Sequence, residues 1–190
     1  GPNRNVGAGS LDYYKSVVSA QKENSVNWGY ESSVGSALPI LTTLRDLLET
    51  GDTVHTISGS VSGTMAYVLS HISEEVSFSD AVRRAVDKDY AETDFREDLS
   101  GRDMARKVVI LARQIGLDVS LEDVEVESLI PEDINTKAYK RESLEADLLE
   151  DIKVVNDYMF ERVKAAEADG RHLRYKFTIN VDTGKCKVAL

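Results

Sequence analysis

Apolar positions recur every three to four residues in several stretches of the chain. Leu11, Tyr14 and Val18 predict a helix from Ser10, which can cap it, to about Lys22. Leu41, Leu44, Leu47 and Leu48 form a second stripe, with Pro39 suited to the first turn and Gly51-Asp52 as the stop. Met65, Val68, Leu69 and Ile72 mark a third helix, Ser79-Asp80-Ala81-Val82 opens a fourth that fades near Asp89, and Met104, Val108, Leu111 and Ile115 mark a fifth, over about 102–115, ended by Gly116. Residues 142–169 read as a charged helical region in one or two pieces. Strand patterns are shorter: Val26 to Tyr30, Thr53 to Ile57, Val124 to Glu127, and a closing pair, Leu173 to Ile179 and Lys185 to Leu190, joined by the hairpin signal Asp182-Thr183-Gly184. Strands and helices do not alternate strictly. The expected class is therefore α+β, a mixed sheet with helices packed on one face.

Composition narrows the picture. The 190 residues carry 23 basic and 33 acidic side chains, a net charge of −10, so a general nucleic-acid binder is excluded. Residues 118–133 hold seven acids and no base, yet read as a solvated connection between helix and strand. No run of 18 apolar residues is present, so no membrane span is expected. Cys186 is the only cysteine, which excludes an intrachain disulfide and favours a reducing compartment. The start, Gly1-Pro2-Asn3-Arg4-Asn5, does not read as a signal peptide; it reads as a cut into a longer protein or as a tag scar.

The common cofactor signatures are missing. Gly7-Ala8-Gly9 lacks the third glycine and the preceding strand of a dinucleotide fingerprint, and Gly59-Ser60-Val61-Ser62-Gly63 has Val61 where a nucleophile elbow needs serine. His55, His71 and His172 have no metal-ligand spacing. The informative stretch is Tyr90 to Lys107. Glu92, Asp94, Glu97 and Asp98 precede a helix on which Asp103 and Lys107, four apart, share a face. Carboxylates beside one ammonium suit a small zwitterion: the acids hold an α-amino group and the lysine gives a proton to a developing alkoxide. The same spacing also describes an exposed ion pair worth ~0.3–0.5 kcal/mol.

The run Glu92-Thr93-Asp94-Phe95-Arg96-Glu97-Asp98-Leu99-Ser100-Gly101-Arg102-Asp103-Met104-Ala105-Arg106-Lys107 closely resembles the T-E-P-D-P-R-D-D-L-S-G-x-D-V-A-R-K signature of homoserine dehydrogenases. Asn3-Arg4-Asn5 and Ser10-Leu11-Asp12-Tyr13-Tyr14 resemble the family's N-K-K and S-M-D-Y-Y, the latter seen in fusions with aspartokinase. Tyr30 to Pro39 resembles Y-E-x-x-V-G-A-G-L-P, Gly59 to Thr64 resembles G-I-x-S-G-T, and Leu173-Arg174-Tyr175 resembles L-R-Y.

The resemblance implies that residues 1–190 are the substrate-binding and dimerisation domain of an NAD(P)-dependent oxidoreductase, without the family's nucleotide-binding domain and its C-terminal closing segment. The implied reaction interconverts aspartate β-semialdehyde and homoserine in threonine and methionine biosynthesis, and the fragment is expected to be inactive alone. By position, Lys107 matches the proton donor. Glu92, Asp98, Asp103, Gly63, Thr64 and Tyr90 match substrate-binding residues, and Arg4 and Asp89 stand at cofactor-side positions. Glu31 with the carbonyls of Val34, Ser36 and Leu38 matches a monovalent-cation site for Na+ or K+. A homodimer through the sheet surface and a cytoplasmic location, or a plastid in a plant, are also implied. Four residues depart from the pattern: Arg4 for lysine, Asp89 for glycine, and Thr93 and Phe95 for prolines. In Gly35-Ser36-Ala37 the family's second glycine is displaced, so a positive φ at Ala37 would be strained. These departures motivate an alternative, a degenerate, non-catalytic dimerisation or regulatory module.

Overall fold

A computed structural model describes residues 3–190. The chain forms two compact units. One contains the chain up to Val61, with Asp103–Glu125 and Phe177–Val188; the other contains Ser62–Arg102, Val126–Lys176 and Ala189–Leu190.

The first unit opens with α1 (Arg4–Gly7) and α2 (Leu11–Glu23). Ser10 caps α2 as expected, its hydroxyl accepting from the Tyr13 amide. The expected strand at Val26–Tyr30 is absent. Ser25 sits at φ 52°, and the Val26 amide returns to the Gln21 carbonyl, so these residues close the end of α2. Beyond them Trp28 stacks on Tyr30, with centroids 4.2 Å apart, and meets Tyr14 of α2 edge-on. A strand pattern without a pairing partner is settled here by ring packing instead.

Helix α3 (Ile40–Glu49) follows Pro39, which sits just before its first turn. Leu41 and Leu44 are buried, but Leu47 is exposed, so only the N-terminal half of the predicted stripe reaches the core. The expected strand at Thr53–Ile57 is shifted to β1 (Thr56–Gly59). Pairing decides its position: Thr56 lies opposite Asn180 and Gly59 opposite Phe177 in antiparallel register, and one further backbone bond, from the Val181 amide to the His55 carbonyl, closes that end.

The sheet has four strands in the order β1-β3-β4-β2, with β2 (Val124–Val126), β3 (Lys176–Asn180) and β4 (Lys185–Ala189). The strand expected from Leu173 therefore starts three residues later. Gly184, at φ 67°, turns the β3–β4 hairpin. Phe177, Ile179, Cys186 and Val188 alternate onto one buried face. Polar and charged residues take the other face, where Lys187 pairs with Glu125 at 2.6 Å. Helix α7 (Arg102–Gln114) runs through this unit's core, and Gly116 ends it at φ 88°.

The second unit is helical. It contains α4 (Gly63–His71), α5 (Phe78–Asp87), α6 (Arg96–Leu99), α8 (Glu132–Thr136), α9 (Leu144–Asp151) and α10 (Asn156–Ala168). A 3-10 segment, Ile152–Val155, joins the two pieces anticipated within 142–169. Two short helices, α6 and α8, were not legible from the pattern. Each is about one turn long, too short to show helical periodicity.

Gly101 is required by both conformation and space. Its φ is 77°, and a Cβ there would lie 2.1 Å from the Tyr175 hydroxyl, which donates to the Glu127 carbonyl at 2.7 Å. Gly101→Ala is expected to cost about 2–4 kcal/mol, combining left-handed strain with overpacking. A urea unfolding midpoint equal to that of the parent would refute this account of the glycine.

Candidate functional site

Helix α7 is buried on nearly every side. Met104, Ala105, Val108, Val109, Ile110, Leu111 and Ala112 are all in the core. Three charged residues are buried with them, Asp103 and Lys107, each 7% exposed, and Arg113 near the C-terminal end of the helix. Burial of a charge is tolerated only when it is paired and hydrogen-bonded. Lys107 Nζ lies 2.7 Å from Asp103 Oδ2 and donates to the Val61 carbonyl at 2.7 Å. These contacts occupy two of the three ammonium hydrogens. The exposed-pair reading of the i,i+4 spacing is thereby set aside.

The other Asp103 oxygen is also taken. Arg4 Nη1 lies 2.8 Å from Oδ1, and Arg4 Nε donates to the Ser33 carbonyl at 3.1 Å. Asp103 thus bridges two cations from different parts of the chain. Arg4 and Val61 enter this cluster through contacts separated by 99 and 46 residues, which no sequence spacing announces.

In the second unit, the Asp98 carboxylate is buried and accepts from the Glu92 amide at 3.1 Å. Thr64, in the first turn of α4, donates from its hydroxyl to the Tyr90 carbonyl at 2.6 Å. Gly63 opens α4, where Ser62 caps the helix through the Met65 amide. Tyr90 is exposed and meets Tyr67 edge-on at 5.2 Å. Asp89 adopts φ 57°, a left-handed conformation that aspartate tolerates better than most residues.

Arg96 organises the acidic loop, a role the pattern did not reveal. Its Nε and Nη2 hold both oxygens of Asp94, at 2.9 and 2.5 Å, and its Nη1 donates to the carbonyls of Asn135 and Lys137. The guanidinium holds the Asp94 carboxyl below the usual carboxylate range. The only local signal was the Asp-Phe-Arg spacing, which is common.

Around Glu31 the structure shows a helix cap. Oε1 accepts from the Leu41 amide at 2.8 Å, and Oε2 accepts from the Thr42 amide at 2.8 Å and the Thr42 hydroxyl at 2.5 Å. Burial alone would raise this carboxyl's pKa, but the bonds from Thr42 and the α3 amides outweigh it, and the net shift is downward. Positive φ falls on Gly35 and Ser36, at 75° and 54°, so the strain expected at Ala37 lies one residue earlier. Val34 is buried, Leu38 is exposed, and the Leu38 carbonyl accepts from the Ile40 amide. Glu31→Ala is expected to lower stability by about 0.5–2 kcal/mol, as for other lost caps. Because the folded carboxyl titrates below its ordinary value, the capping contribution is present above the ordinary range and disappears as pH falls through the folded value. Unfolding midpoints of parent and variant should converge as the solution is acidified; a constant gap would exclude the cap as the cause.

Among the described residues, no group of three or more His, Cys, Asp or Glu is placed to hold a metal ion, and no helix is long and apolar enough to cross a membrane.

The family model described as homoserine dehydrogenase matches residues 39–190. The chain belongs to the homoserine dehydrogenase family. It is 41% identical over 189 residues to the chloroplastic bifunctional aspartokinase/homoserine dehydrogenase 1 of Zea mays, matching all of this chain and 20% of that protein. It is 40% identical over 149 residues to the homoserine dehydrogenase of Schizosaccharomyces pombe, which covers 75% of this chain and 40% of that one. The chain therefore spans less than half the length of these relatives. Among solved structures, a Candida auris protein of unknown function superposes with a TM-score of 0.86 at 34% identity, over 99% of this chain and 53% of the other. A putative homoserine dehydrogenase from Archaeoglobus fulgidus gives 0.71 at 25% identity, over 93% and 46%.

Proposed function

We propose that this chain is the substrate-binding and dimerisation part of a homoserine dehydrogenase, an NAD(P)-dependent oxidoreductase that interconverts aspartate β-semialdehyde and homoserine. The observation that carries this reading is the buried Asp103–Lys107 pair on α7, in a chain of this family. In the reductive direction, the third N–H of Lys107 protonates the oxygen that becomes the homoserine hydroxyl. Asp103 and the Val61 carbonyl keep the ammonium in place for that transfer. The family resemblance assigns Glu92 and Asp98 to the substrate's amino group; within the second unit the Asp98 carboxylate accepts from the Glu92 amide, and Thr64 fixes the backbone of Tyr90.

The described residues hold no glycine-rich strand-turn-helix to cradle a pyrophosphate. Arg4 is committed to Asp103 and Ser33, and Asp89 brings a negative charge to its turn. This chain therefore does not fit a dinucleotide by itself, and it supplies the grip on the amino acid and the proton. Nor do the residues around Glu31 fit a bound Na+ or K+ as arranged, since the carboxylate caps α3 and the Leu38 carbonyl serves Ile40. The polar outer face of the sheet is the surface assigned to a homodimer.

Homoserine oxidation, followed by NAD(P)H absorbance, tests the reading. The full-length protein should turn over, and this chain alone should not. Turnover by the isolated chain would refute the division of labour. Failure of the full-length protein would favour the non-catalytic module instead.

A further inference from the structure

The geometry points to Arg4 as a positioning residue for the proton donor, acting through Asp103. This inference rests on the reading of Lys107 as that donor. It departs from the cofactor-side role that resemblance alone gives position 4.

Arg4 and Lys107 hold opposite oxygens of one carboxylate, at 2.8 and 2.7 Å. Two charge-assisted bonds from two directions fix both the position of the carboxylate and its rotation. With Lys107 alone, the Oδ1 oxygen of an almost fully buried carboxylate would lack this partner. The carboxylate would then turn to share both oxygens with the ammonium, and Nζ would follow it. Arg4 prevents that rotation, so Nζ stays between Oδ2 and the Val61 carbonyl with its third hydrogen in a fixed direction.

Arg4 is itself anchored. Its Nε donates to the Ser33 carbonyl while Nη1 serves Asp103, so separate nitrogens of one rigid plane satisfy two acceptors. The helix that carries it is seated on α7 as well. The Gly7 carbonyl accepts from Arg113 Nη1 at 2.9 Å, and a Cβ at Gly7 would lie 2.9 Å from Ile110 Cγ1. Helix α1 is thus held to α7 near Arg113 and again at Asp103. This is the kind of support that keeps a reacting group within a fraction of an ångström of its working position.

The test compares Arg4→Gln, Arg4→Lys and Lys107→Ala in the full-length protein. Arg4→Gln should lower kcat by about 10- to 100-fold, the scale of a small misplacement of a reacting group. The KM for the dinucleotide should remain within about twofold, and the solvent isotope effect on kcat should rise as proton transfer becomes limiting. Arg4→Lys keeps the charge and should recover part of the lost kcat. Thermal unfolding of each variant, compared with the parent, separates a fold defect from a kinetic one. An unchanged kcat in Arg4→Gln, or a raised dinucleotide KM with kcat intact, overturns the inference. So does an Arg4→Gln variant too unstable to assay together with an Arg4→Lys variant that folds normally but recovers no activity. If Lys107→Ala retains its kcat, the donor reading fails, and this inference fails with it. If Lys107→Ala is inactive and Arg4→Gln is not slowed, only the positioning role is lost.

Discussion

Lys107→Met in the full-length protein is expected to lower kcat by about 10²- to 10⁴-fold, the range for a lost general acid. Methionine fills much of the volume of the lysine stem, so the packing of α7 should change little. It removes the donor to the substrate oxygen together with the bonds to Asp103 and the Val61 carbonyl. Asp103 is not stranded, because Arg4 still holds its other oxygen. The loss should therefore appear in turnover far more than in stability. Initial-rate kinetics paired with urea unfolding separates the two, and a variant that keeps its kcat would remove Lys107 from the chemistry.

The second large effect is on the fold. Asp103→Ala leaves two cations facing each other without the carboxylate between them, and one of them, Lys107, is almost fully buried. Removing one partner of a buried ion pair typically costs about 3–5 kcal/mol, because the remaining charge has neither water nor a counter-ion. That is a large share of the ~5–15 kcal/mol that separates a folded domain from its unfolded chain. Asp103→Asn keeps the shape and one acceptor oxygen, so its penalty should be smaller. Urea midpoints in the order parent, Asn, Ala are expected. A midpoint for Asp103→Ala equal to that of the parent would mean that the cluster is solvated and not structural.

The contrast between these two positions shows what the sequence could reveal. The i,i+4 spacing put Asp103 and Lys107 on one face, but identical spacing occurs on countless exposed helices. The deciding fact is that α7 is surrounded. A hint of it was present in Val108-Val109-Ile110-Leu111-Ala112, a run of five apolar residues that covers every side of a helix. The contact with Arg4 had no local signal at all, since it joins a one-turn helix to a residue 99 positions away. Ends and turns with their own chemistry were legible: Ser10 as a cap, Gly116 as a stop, and Gly184 in the hairpin. Segments whose state depends on a partner were not. Residues 26–30 carry a strand pattern but find rings to stack on instead of a strand to pair with, and β1 starts where β3 gives it a neighbour. The family signature carried the functional reading further than periodicity could, because its acids and lysine are specified one by one.

Cys186 offers a practical consequence of how the sheet is built. Its side chain lies on the buried face of β4, next in the alternation to Val188, and burial pushes the thiol pKa up. It is the only cysteine in the chain. A thiol reagent can therefore modify the folded protein only when this part of the sheet opens. With opening and reclosing fast relative to labelling, the labelling rate reports the free energy of that opening. The chain thus carries its own clock for the local breathing of its sheet, without an introduced probe.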